Sequence, residues 1–285
     1  PAMHGPNGED GALMGILQMA NIPFVGCDVA ASAIAMDKVL SKQIVSSKGI
    51  KTPKSIAFTS FEFTAGSERI LSSINTDLAF PLFVKPAHLG SSIGITRVAS
   101  SDQLLNAIEV ALHYDNRVIV EEGVSNLIEV TVPIIGNEEL QVALVEQPLL
   151  TADDFFDFET KYIGQGKNGG GKKGSGQKGA QGYSKLPADI SKDLYDQSVE
   201  VAKASYRAVG CSGIARIDLL INGKTKEVYF NELNPLPGSL YAHNWRAAGL
   251  PTVQLVTRLV ELAEARHKSK EALESTFQTN FLKQF

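Results

Sequence analysis

The sequence is poor in cysteine and has no long apolar run. Its 285 residues include only two cysteines, Cys27 and Cys211, which lie far apart in the chain and form no CxxC pair. This usage indicates neither a disulfide framework nor a zinc site, and we expect reduced thiols in a cytoplasmic core. No segment approaches the roughly 18 apolar residues of a membrane span, and the first residues lack the pattern of a signal peptide. The sequence therefore predicts a cytoplasmic protein that does not enter a membrane.

Neither sign of charge is in large excess. The chain has 27 Lys and Arg residues against 31 Asp and Glu, which gives a formal net charge of -4 and a pI near 5.8. This balance provides no general attraction to nucleic acid or to an acidic membrane, so any bound polyanion must be small and held locally. With 44% hydrophobic residues the chain can bury one large core or several smaller ones, as soluble enzymes do.

Apolar periodicity predicts helices and strands that alternate along the chain. We predict helices over residues 9–20, 32–47, 101–114, 195–209 and 251–265. We predict strands over residues 81–85, 93–98, 117–122, 128–135, 140–147, 214–221 and 227–233. This alternation, without internal repeats, indicates an α/β or α+β fold with more than one lobe.

Residues 164–182 differ from the rest of the chain because they are mainly glycine, lysine, glutamine and serine. Such a segment has little apolar surface to offset the conformational entropy of ordering, so we expect it to be mobile unless a ligand fixes it. Two interpretations stay open. The segment is either a lid that closes over a ligand or an insertion that only links strands.

Two predicted strands near the end of the chain carry an unusual set of polar residues. Side chains alternate along a strand, so Arg216 shares a face with Asp218, and Glu232 shares a face with Asn234. If an odd number of residues connects the strands, the two faces are the same. Carboxylate and carboxamide oxygens suit Mg²⁺, so the hairpin is a candidate metal site. The alternative is a hairpin whose solvent face happens to carry charges.

Six motifs occur in the order that is typical of one enzyme family, and they span nearly the whole chain. They are HGxxGEDG from His4, SxxxMDK ending at Lys38, KP followed by GSSxG from Lys85 to Gly94, KY at Lys161, RxD from Arg216, and ExN followed by PG from Glu232 to Gly238. On these motifs the sequence resembles the D-alanine–D-alanine ligases of the ATP-grasp superfamily. The resemblance implies an α/β (α+β) ATP-grasp fold with several lobes and a nucleotide bound between the central and C-terminal lobes.

The resemblance also implies a set of nucleotide contacts. Lys38 and Lys85 correspond to ammonium groups that neutralise ATP phosphates, although most lysines are simply solvated. Backbone N–H groups and hydroxyls of the glycine loop would cover the phosphates, unless the loop is a plain turn. The implied cofactor-binding residues are Lys38, Lys85, Ser91, Ser92, Glu121, Glu122, Val124, Glu129 and Lys161. Within this set, Glu121 to Val124 would hold adenine through the backbone, and Glu129 would hold the ribose.

Catalytic roles follow from the same resemblance. Asp218, Glu232 and Asn234 correspond to the ligands of two Mg²⁺ ions, with Mn²⁺ as a substitute. Arg216 and the backbone N–H of Gly238 would stabilise the oxyanion of a tetrahedral intermediate. Two further implied roles involve pairs of side chains. Ser91 would tie down the mobile segment through Tyr162, and His4 with Glu9 would lie near the amino-acid site.

The implied organisation has three parts. Residues 1–29 form the remainder of an N-terminal α/β domain, residues 30–121 the central lobe, and residues 122–285 the C-terminal lobe with the metal site. The family normally has a further βαβ segment before the His4 motif, which this sequence does not include. The implied partners are ATP, D-alanine and a second copy of the chain, with no nucleic acid and no membrane.

The implied activity joins two D-alanines through an acyl phosphate, for the synthesis of peptidoglycan precursor. Two other interpretations stay open. One is an ATP-grasp ligase with a different amino-acid or hydroxy-acid acceptor, because the residues after Gly238 depart from the family pattern. The other is a nucleotide-binding remnant without catalytic activity. Nucleic-acid binding by the lysine-rich segment is disfavoured, since no aromatic residues are interleaved with the lysines.

Overall fold

The computed structural model describes residues 3–90, 92–149 and 184–273. Three predicted site residues, Ser91, Lys161 and Tyr162, lie outside these ranges, as does the glycine-rich segment 164–182. The expectations for them stay predictions. In the described part of the chain no helix is long and apolar enough to cross a membrane.

Helices and strands alternate as the sequence predicts. The helices are α1 (Ala12–Met19), α2 (Val29–Met36), α3 (Lys38–Ser47), α4 (Ser60–Asp77), α5 (Leu104–Tyr114), α6 (Lys192–Val209), α7 (Ala242–Ala247) and α8 (Thr252–Glu271), with 3₁₀ turns at Ser101–Gln103 and Gly238–Tyr241. The strands are β1 (Ser55–Thr59), β2 (Leu82–Pro86), β3 (Thr96–Val98), β4 (Arg117–Glu122), β5 (Leu127–Gly136), β6 (Leu140–Val142), β7 (Gln147–Pro148), β8 (Ser184–Lys185), β9 (Gly213–Asn222) and β10 (Val228–Asn234).

Each predicted element overlaps an observed one, but two boundaries differ for physical reasons. The helix predicted over 32–47 is two helices, because Asp37 adopts an extended backbone and caps α3 by accepting from Val39 N and Leu40 N. The strand predicted over 140–147 ends at Val142. The sequence analysis assigned no elements between residues 55 and 77, where β1 and α4 lie. Thr59 and Glu62 form a capping box at the start of α4. Their spacing in the sequence is a signal for the beginning of a helix.

The first sheet is antiparallel with the strand order β1-β4-β2-β3. Helices α4 and α5 pack on it, and their apolar residues form a buried core with Leu82, Val84, Val118 and Val120. These residues alternate with polar ones such as Lys85 and Glu121 along β2 and β4. The sheet therefore has a second face that carries charged side chains.

The second sheet has the order β10-β9-β5-β6. Ile217, Leu219 and Ile221 on β9 pack into a core with α2, α3 and α6. At one end of the opposite face, α7 and α8 pack on Ile214 through Trp245 and Leu255. Beyond that end the opposite face is not covered by a helix in the described chain. It presents the alternate residues of β9 to a cleft beside the first sheet.

Helices α2 and α3 contact the second sheet, although the predicted boundary assigned them to the central lobe. Ala31, Ala35 and Val45 are buried in the same core as β9 and β10. At its first residue, α3 also contacts the central lobe, where Lys38 N donates to Ala87 O at 3.0 Å. The division into lobes at residues 30 and 122 stays a prediction, and these contacts favour a central lobe that begins after α3.

Candidate active site

A cleft between the two sheets contains a cavity of about 320 Å³. One wall comes from the first sheet and carries Lys85 and Glu121; the other comes from the second sheet and carries Glu129, Arg216 and Asp218. The rim includes further residues named in the sequence analysis, which are Lys38, Ser92, Glu122, Val124 and Glu232. Residues distant in sequence are thus brought to one cavity.

A second cavity of about 430 Å³ adjoins the first. It is lined by His4, Glu9, Asn234 and Gly238, among others. The residues that line both cavities are Lys38, Leu89, Gly90, Ser92, Arg216 and Glu232. Arg216, predicted to stabilise the oxyanion, and Glu232, a predicted metal ligand, therefore lie at the border between the two cavities.

The hairpin of β9 and β10 places four predicted residues on one face. Its register pairs Glu232 with Asp218 and Asn234 with Arg216, and directly paired residues of antiparallel strands project to the same side. The shared face expected from the sequence is present. A β-bulge produces it, because a register shift just before Glu232 leaves Asn231 as an extra residue on β10.

Without the bulge, the hairpin would not bring Glu232 and Asp218 to the same face. Ile221 pairs with Val228, so an even number of residues, 222–227, separates the strands. Continued without interruption, that register would put Glu232 on the face opposite to Asp218. The odd residue that the sequence analysis required is therefore Asn231 of the bulge, not a residue of the connecting turn.

Arg216 and Asp218 form a two-bond contact on this face. Arg216 Nε donates to Asp218 Oδ1 at 3.0 Å, and Nη2 donates to Oδ2 at 2.6 Å. Thr131 Oγ1 also donates to Asp218 Oδ1, at 2.9 Å. Burial opposes the charged guanidinium, but the Asp218 carboxylate outweighs this effect and raises the pKa of Arg216. Arg216 is therefore a fixed positive charge, and a bidentate pair of this kind fixes its orientation.

Four charged residues at and behind the other wall make up what we call the lysine cluster: Lys38, Lys42, Lys85 and Glu121. Glu121 Oε2 lies 2.6 Å from Lys85 Nζ, and Oε1 lies 2.8 Å from Lys42 Nζ. The Glu121 side chain is only 2% exposed. Burial favours its neutral form, but Lys42 and Lys85 outweigh this and lower the pKa of Glu121 to about 2.

The lysines of the cluster differ in their electrostatics. Burial lowers the pKa of Lys38 and of Lys42. Burial also acts on Lys85, but the Glu121 carboxylate outweighs it and raises the pKa of Lys85. Lys38 Nζ donates to Leu89 O at the start of the glycine loop and lies 3.9 Å from Glu232 Oε2. An incoming anion would relieve the cost of burying these charges.

Glu121, Glu122 and Val124 were predicted to hold adenine through the backbone. All three line the first cavity. The Glu121 side chain, however, has a role that the sequence did not indicate, as the anion of the lysine cluster. Glu122 N donates to Lys54 O at 2.9 Å, so this N–H is already used within the fold. The adenine role of the segment stays a prediction.

At the second cavity, His4 and Glu9 are in contact as expected. His4 Nδ1 lies 3.3 Å from Glu9 Oε1, and Gly5 N donates to Glu9 Oε2 at 2.6 Å. Glu9 is therefore buried and held by the loop of the motif itself. On the far side, Asn234 Oδ1 accepts from Leu236 N at 3.0 Å, which fixes the turn towards Gly238.

The donors at the border suit magnesium in their chemistry. Within residues 3–90, 92–149 and 184–273 no group of three or more His, Cys, Asp or Glu side chains is arranged to hold a metal ion. Asp218, Glu232 and Asn234 instead offer two carboxylates and one carboxamide on a shared face. Mg²⁺ takes a few protein oxygens and completes its shell with phosphate oxygens and water, so this set fits it.

Five residues at the site were missed by the sequence analysis: Lys42, Thr131, Glu146, Asn231 and Tyr241. Two of them had a readable signal, because Lys42 follows Lys38 by one helical turn and Thr131 follows Glu129 on the same strand face. Asn231 had none, since a bulge is not visible in alternation. Its Oδ1 lies 3.5 Å from Lys85 Nζ, and this contact connects β10 with the lysine cluster.

The sequence matches one protein family over most of its length. Residues 44–261 match the family model described as the D-ala D-ala ligase C-terminus. The chain belongs to the D-alanine–D-alanine ligase family. Its sequence is 37% identical to D-alanine–D-alanine ligase A of Escherichia coli K12 over 281 residues, which cover 97% of this chain and 71% of that protein.

Two further relatives support the same family. The D-alanine–D-alanine ligase of Geobacillus thermodenitrificans is 34% identical over 282 residues, which cover 98% of this chain and 72% of that protein. The crystal structure of the VanG D-Ala:D-Ser ligase from Enterococcus faecalis superposes with a TM-score of 0.77 at 36% identity, over 92% of this chain and 71% of that one. The family consists of ATP-dependent ligases with the ATP-grasp fold that typically use Mg²⁺, so the predicted fold and enzyme class are confirmed.

Proposed function

We propose that the protein is an ATP-dependent ligase that joins two D-alanines to supply peptidoglycan precursor in the cytoplasm. ATP phosphorylates the carboxylate of the first D-alanine, and the amine of the second attacks the resulting acyl phosphate. The carboxylate oxygen leaves with the phosphate as the amide bond forms. A homodimer is the expected assembly by family resemblance.

The observation that carries this proposal is the border between the two cavities. Transfer of a phosphoryl group needs a nucleotide site and a carboxylate site that meet at one point. Arg216 and Glu232 line both cavities, with the lysine cluster on the first side and the His4–Glu9 pair on the second. We infer that the first cavity binds ATP and the second binds the amino acids.

On the nucleotide side, Lys38 and Lys85 offer ammonium groups to the phosphates. Ser92 and the neighbouring backbone of the glycine loop complete this anion site, and Ser91 would belong to it as well. Val124 and Glu129 lie on the same cavity, at the positions proposed for adenine and ribose. Lys161, Tyr162 and the lid role of residues 164–182 stay proposals from the family resemblance.

On the metal side, Asp218, Glu232 and Asn234 would hold Mg²⁺, with two ions and a bridging Glu232 as the proposed arrangement. The metal supplies charge neutralisation for the transferred phosphoryl group. Asp218 already accepts three hydrogen bonds from Arg216 and Thr131. A carboxylate has about four acceptor positions, which leaves it room for a metal contact.

Charge that develops on the carbonyl oxygen during amine attack needs donors at the border. Arg216 is held there by Asp218, and the N–H of Gly238 follows the turn fixed by Asn234. Preorganised donors of this kind are typically worth about 3–4 kcal/mol each. His4 and Glu9 would act on the amino-acid side of the same border.

A second candidate differs only in the acceptor. The VanG structure belongs to a ligase whose name gives D-serine as its second substrate, and the residues after Gly238 are the part of the motif that departs from the family pattern. An acceptor other than D-alanine is therefore the alternative to test.

The experiment is ADP formation measured with Mg²⁺ and ATP, with and without D-alanine, followed by mass spectrometry of the product. The proposal expects ADP only when D-alanine is present, and the mass of D-alanyl-D-alanine. A panel of D-serine, D-lactate and L-alanine as second substrates then ranks the acceptors by kcat/KM. ATP binding without product from any amino acid would make the protein a nucleotide-binding remnant.

A further inference from the structure

A chain of contacts leads from Arg216 to a buried carboxylate that the proposed reaction does not use. Asp218, the partner of Arg216, accepts a hydrogen bond from Thr131 Oγ1. The backbones of Thr131 and Glu146 exchange two hydrogen bonds, at 2.8 and 2.9 Å. Glu146 Oε2 lies 2.9 Å from His243 Nε2. The wall behind Arg216 is therefore connected to the segment that follows Gly238.

Tyr241 completes this series of contacts by leading back to Arg216. Its side chain packs against His243 with ring centroids 4.6 Å apart. The guanidinium carbon of Arg216 lies 5.6 Å from the centroid of the Tyr241 ring, within the distance of a cation–π contact. Arg216 is thus held at its edge by Asp218 and against its face by Tyr241.

Glu146 is the most deeply buried charged residue in this series of contacts and holds the segment after Gly238 in place. Its side chain is only 3% exposed, and Asn244 Nδ2 donates to its Oε2 at 3.1 Å. Asn244 is fixed in turn by two hydrogen bonds with the backbone of Leu144, at 3.0 and 2.9 Å. A buried carboxylate needs such partners to remain charged, and these partners lie in the segment that carries Tyr241.

The backbone that presents Tyr241 is unusual. Ser239, Leu240 and Tyr241 have φ values of 51°, 53° and 52°, in the left-handed region that residues other than glycine rarely adopt. Consecutive residues keep such angles only where their surroundings determine them. The contacts of Glu146 with His243 and Asn244 provide those surroundings, directly after the strained residues.

Tyr241 has two kinds of neighbour. It packs partly against the core that contains Ile214 and Trp245, and it also lines the first cavity together with Arg216 and Asp218. Asp218 is also a proposed metal ligand, so its carboxylate would serve both Arg216 and a metal. A second contact that does not involve Asp218 would keep the guanidinium in place.

We propose that Tyr241 is a positioning residue, whose ring fixes the plane of the Arg216 guanidinium at the border of the two cavities and is itself held by Glu146 and His243. The catalytic consequence rests on the proposed function. The geometric claim does not, and the two can be tested separately.

The kinetic test compares Tyr241→Leu, which removes the ring, with Tyr241→Phe, which keeps it. We expect Tyr241→Leu to lower kcat about 10-fold or more with little change in the KM for ATP, and Tyr241→Phe to stay within about 3-fold of the parent. Tyr229→Leu is the control, since Tyr229 is also half-buried, its hydroxyl donates to Glu227 Oε2 at 2.8 Å, and it is not among the residues that line either cavity. A parental kcat for Tyr241→Leu overturns the proposal.

The geometric test does not require ligase activity. Phenylglyoxal modifies arginine, and mass spectrometry of peptides gives the rate at Arg216, with the exposed Arg258 as internal reference. We expect a several-fold faster reaction of Arg216 in Tyr241→Leu and a parental rate in Tyr241→Phe. An unchanged rate in Tyr241→Leu overturns the proposal even if the parent proves to be an active ligase. Conversely, a parent without D-alanine-dependent ADP formation refutes the proposed function and leaves this test valid.

Discussion

The two walls of the cleft both carry charged side chains, but with opposite balance. In the lysine cluster one carboxylate, Glu121, pairs with Lys42 and Lys85, and Lys38 adds a third ammonium group. On the hairpin, two carboxylates, Asp218 and Glu232, accompany one guanidinium, Arg216. An excess of positive charge suits phosphate and an excess of negative charge suits a metal ion. One cavity can therefore attract both parts of a metal nucleotide, because positive charge prevails on one side and negative charge on the other. The two sets meet where Lys38 Nζ lies 3.9 Å from Glu232 Oε2.

Glu121→Gln is expected to have the largest effect of the variants considered. This change leaves Lys42 and Lys85 buried without their common anion, and loss of one partner of a buried ion pair typically costs about 3–5 kcal/mol. We expect a loss of that order in the free energy of unfolding, measured with denaturant. The control is Glu227→Gln, which removes the partner of the exposed Lys51 and should change the midpoint little. Equal losses in the two variants would contradict the account.

The pH dependence of stability tests the same role of Glu121. The pKa of Glu121 is lowered from 4.5 to about 2 by Lys42 and Lys85, against the effect of burial. Its stabilisation is therefore present above pH 4.5 and is lost as the pH falls towards 2, with a total on the order of 3 kcal/mol. We expect the unfolding free energy to fall over this range, and to fall less in Glu121→Gln. Parallel pH profiles for parent and variant would rule this out.

The hairpin is tested by Arg216→Lys, which keeps the charge but loses the planar set of donors. We expect kcat to drop by around 100-fold or more, while ATP affinity and the thermal midpoint change little. The structural alternative, in which the Arg216–Asp218 pair only stabilises the hairpin, predicts a lower midpoint with turnover within a few-fold of the parent. Both quantities should be measured on the same preparations.

The smallest expected effect is a difference in the KM for ATP between variants of Lys85 and Lys42, which both pair with Glu121. Lys85 lines the first cavity, whereas Lys42 is not among its lining residues. We expect Lys85→Met to raise the KM for ATP roughly 10-fold, as for the loss of one charge-assisted contact, and Lys42→Met to leave it within about 2-fold. Both variants lose a partner of Glu121 and should be destabilised. Similar increases in KM would mean that the two lysines act on ATP as a unit.

Much of this site could be predicted because strands alternate and motifs keep their order. Asp218 and Arg216 could be assigned to one face from their spacing alone. The partly buried position of Lys85 could be expected from its place at the end of an apolar strand. The placement of Glu232 could not be derived, since it depends on a bulge at Asn231 that no local pattern announces. The anchors behind the site, Glu146 and Tyr241, were also missed, because their contacts join segments nearly a hundred residues apart.

The most direct test of the central claim uses D-alanine labelled with ¹⁸O in its carboxylate. If ATP and the amino acid meet at Arg216 and Glu232 to form an acyl phosphate, one labelled oxygen must leave with the phosphate each time an amide bond forms. The account predicts one ¹⁸O in the inorganic phosphate for each D-alanyl-D-alanine produced, measured by mass spectrometry. Dipeptide formed together with unlabelled phosphate would contradict it.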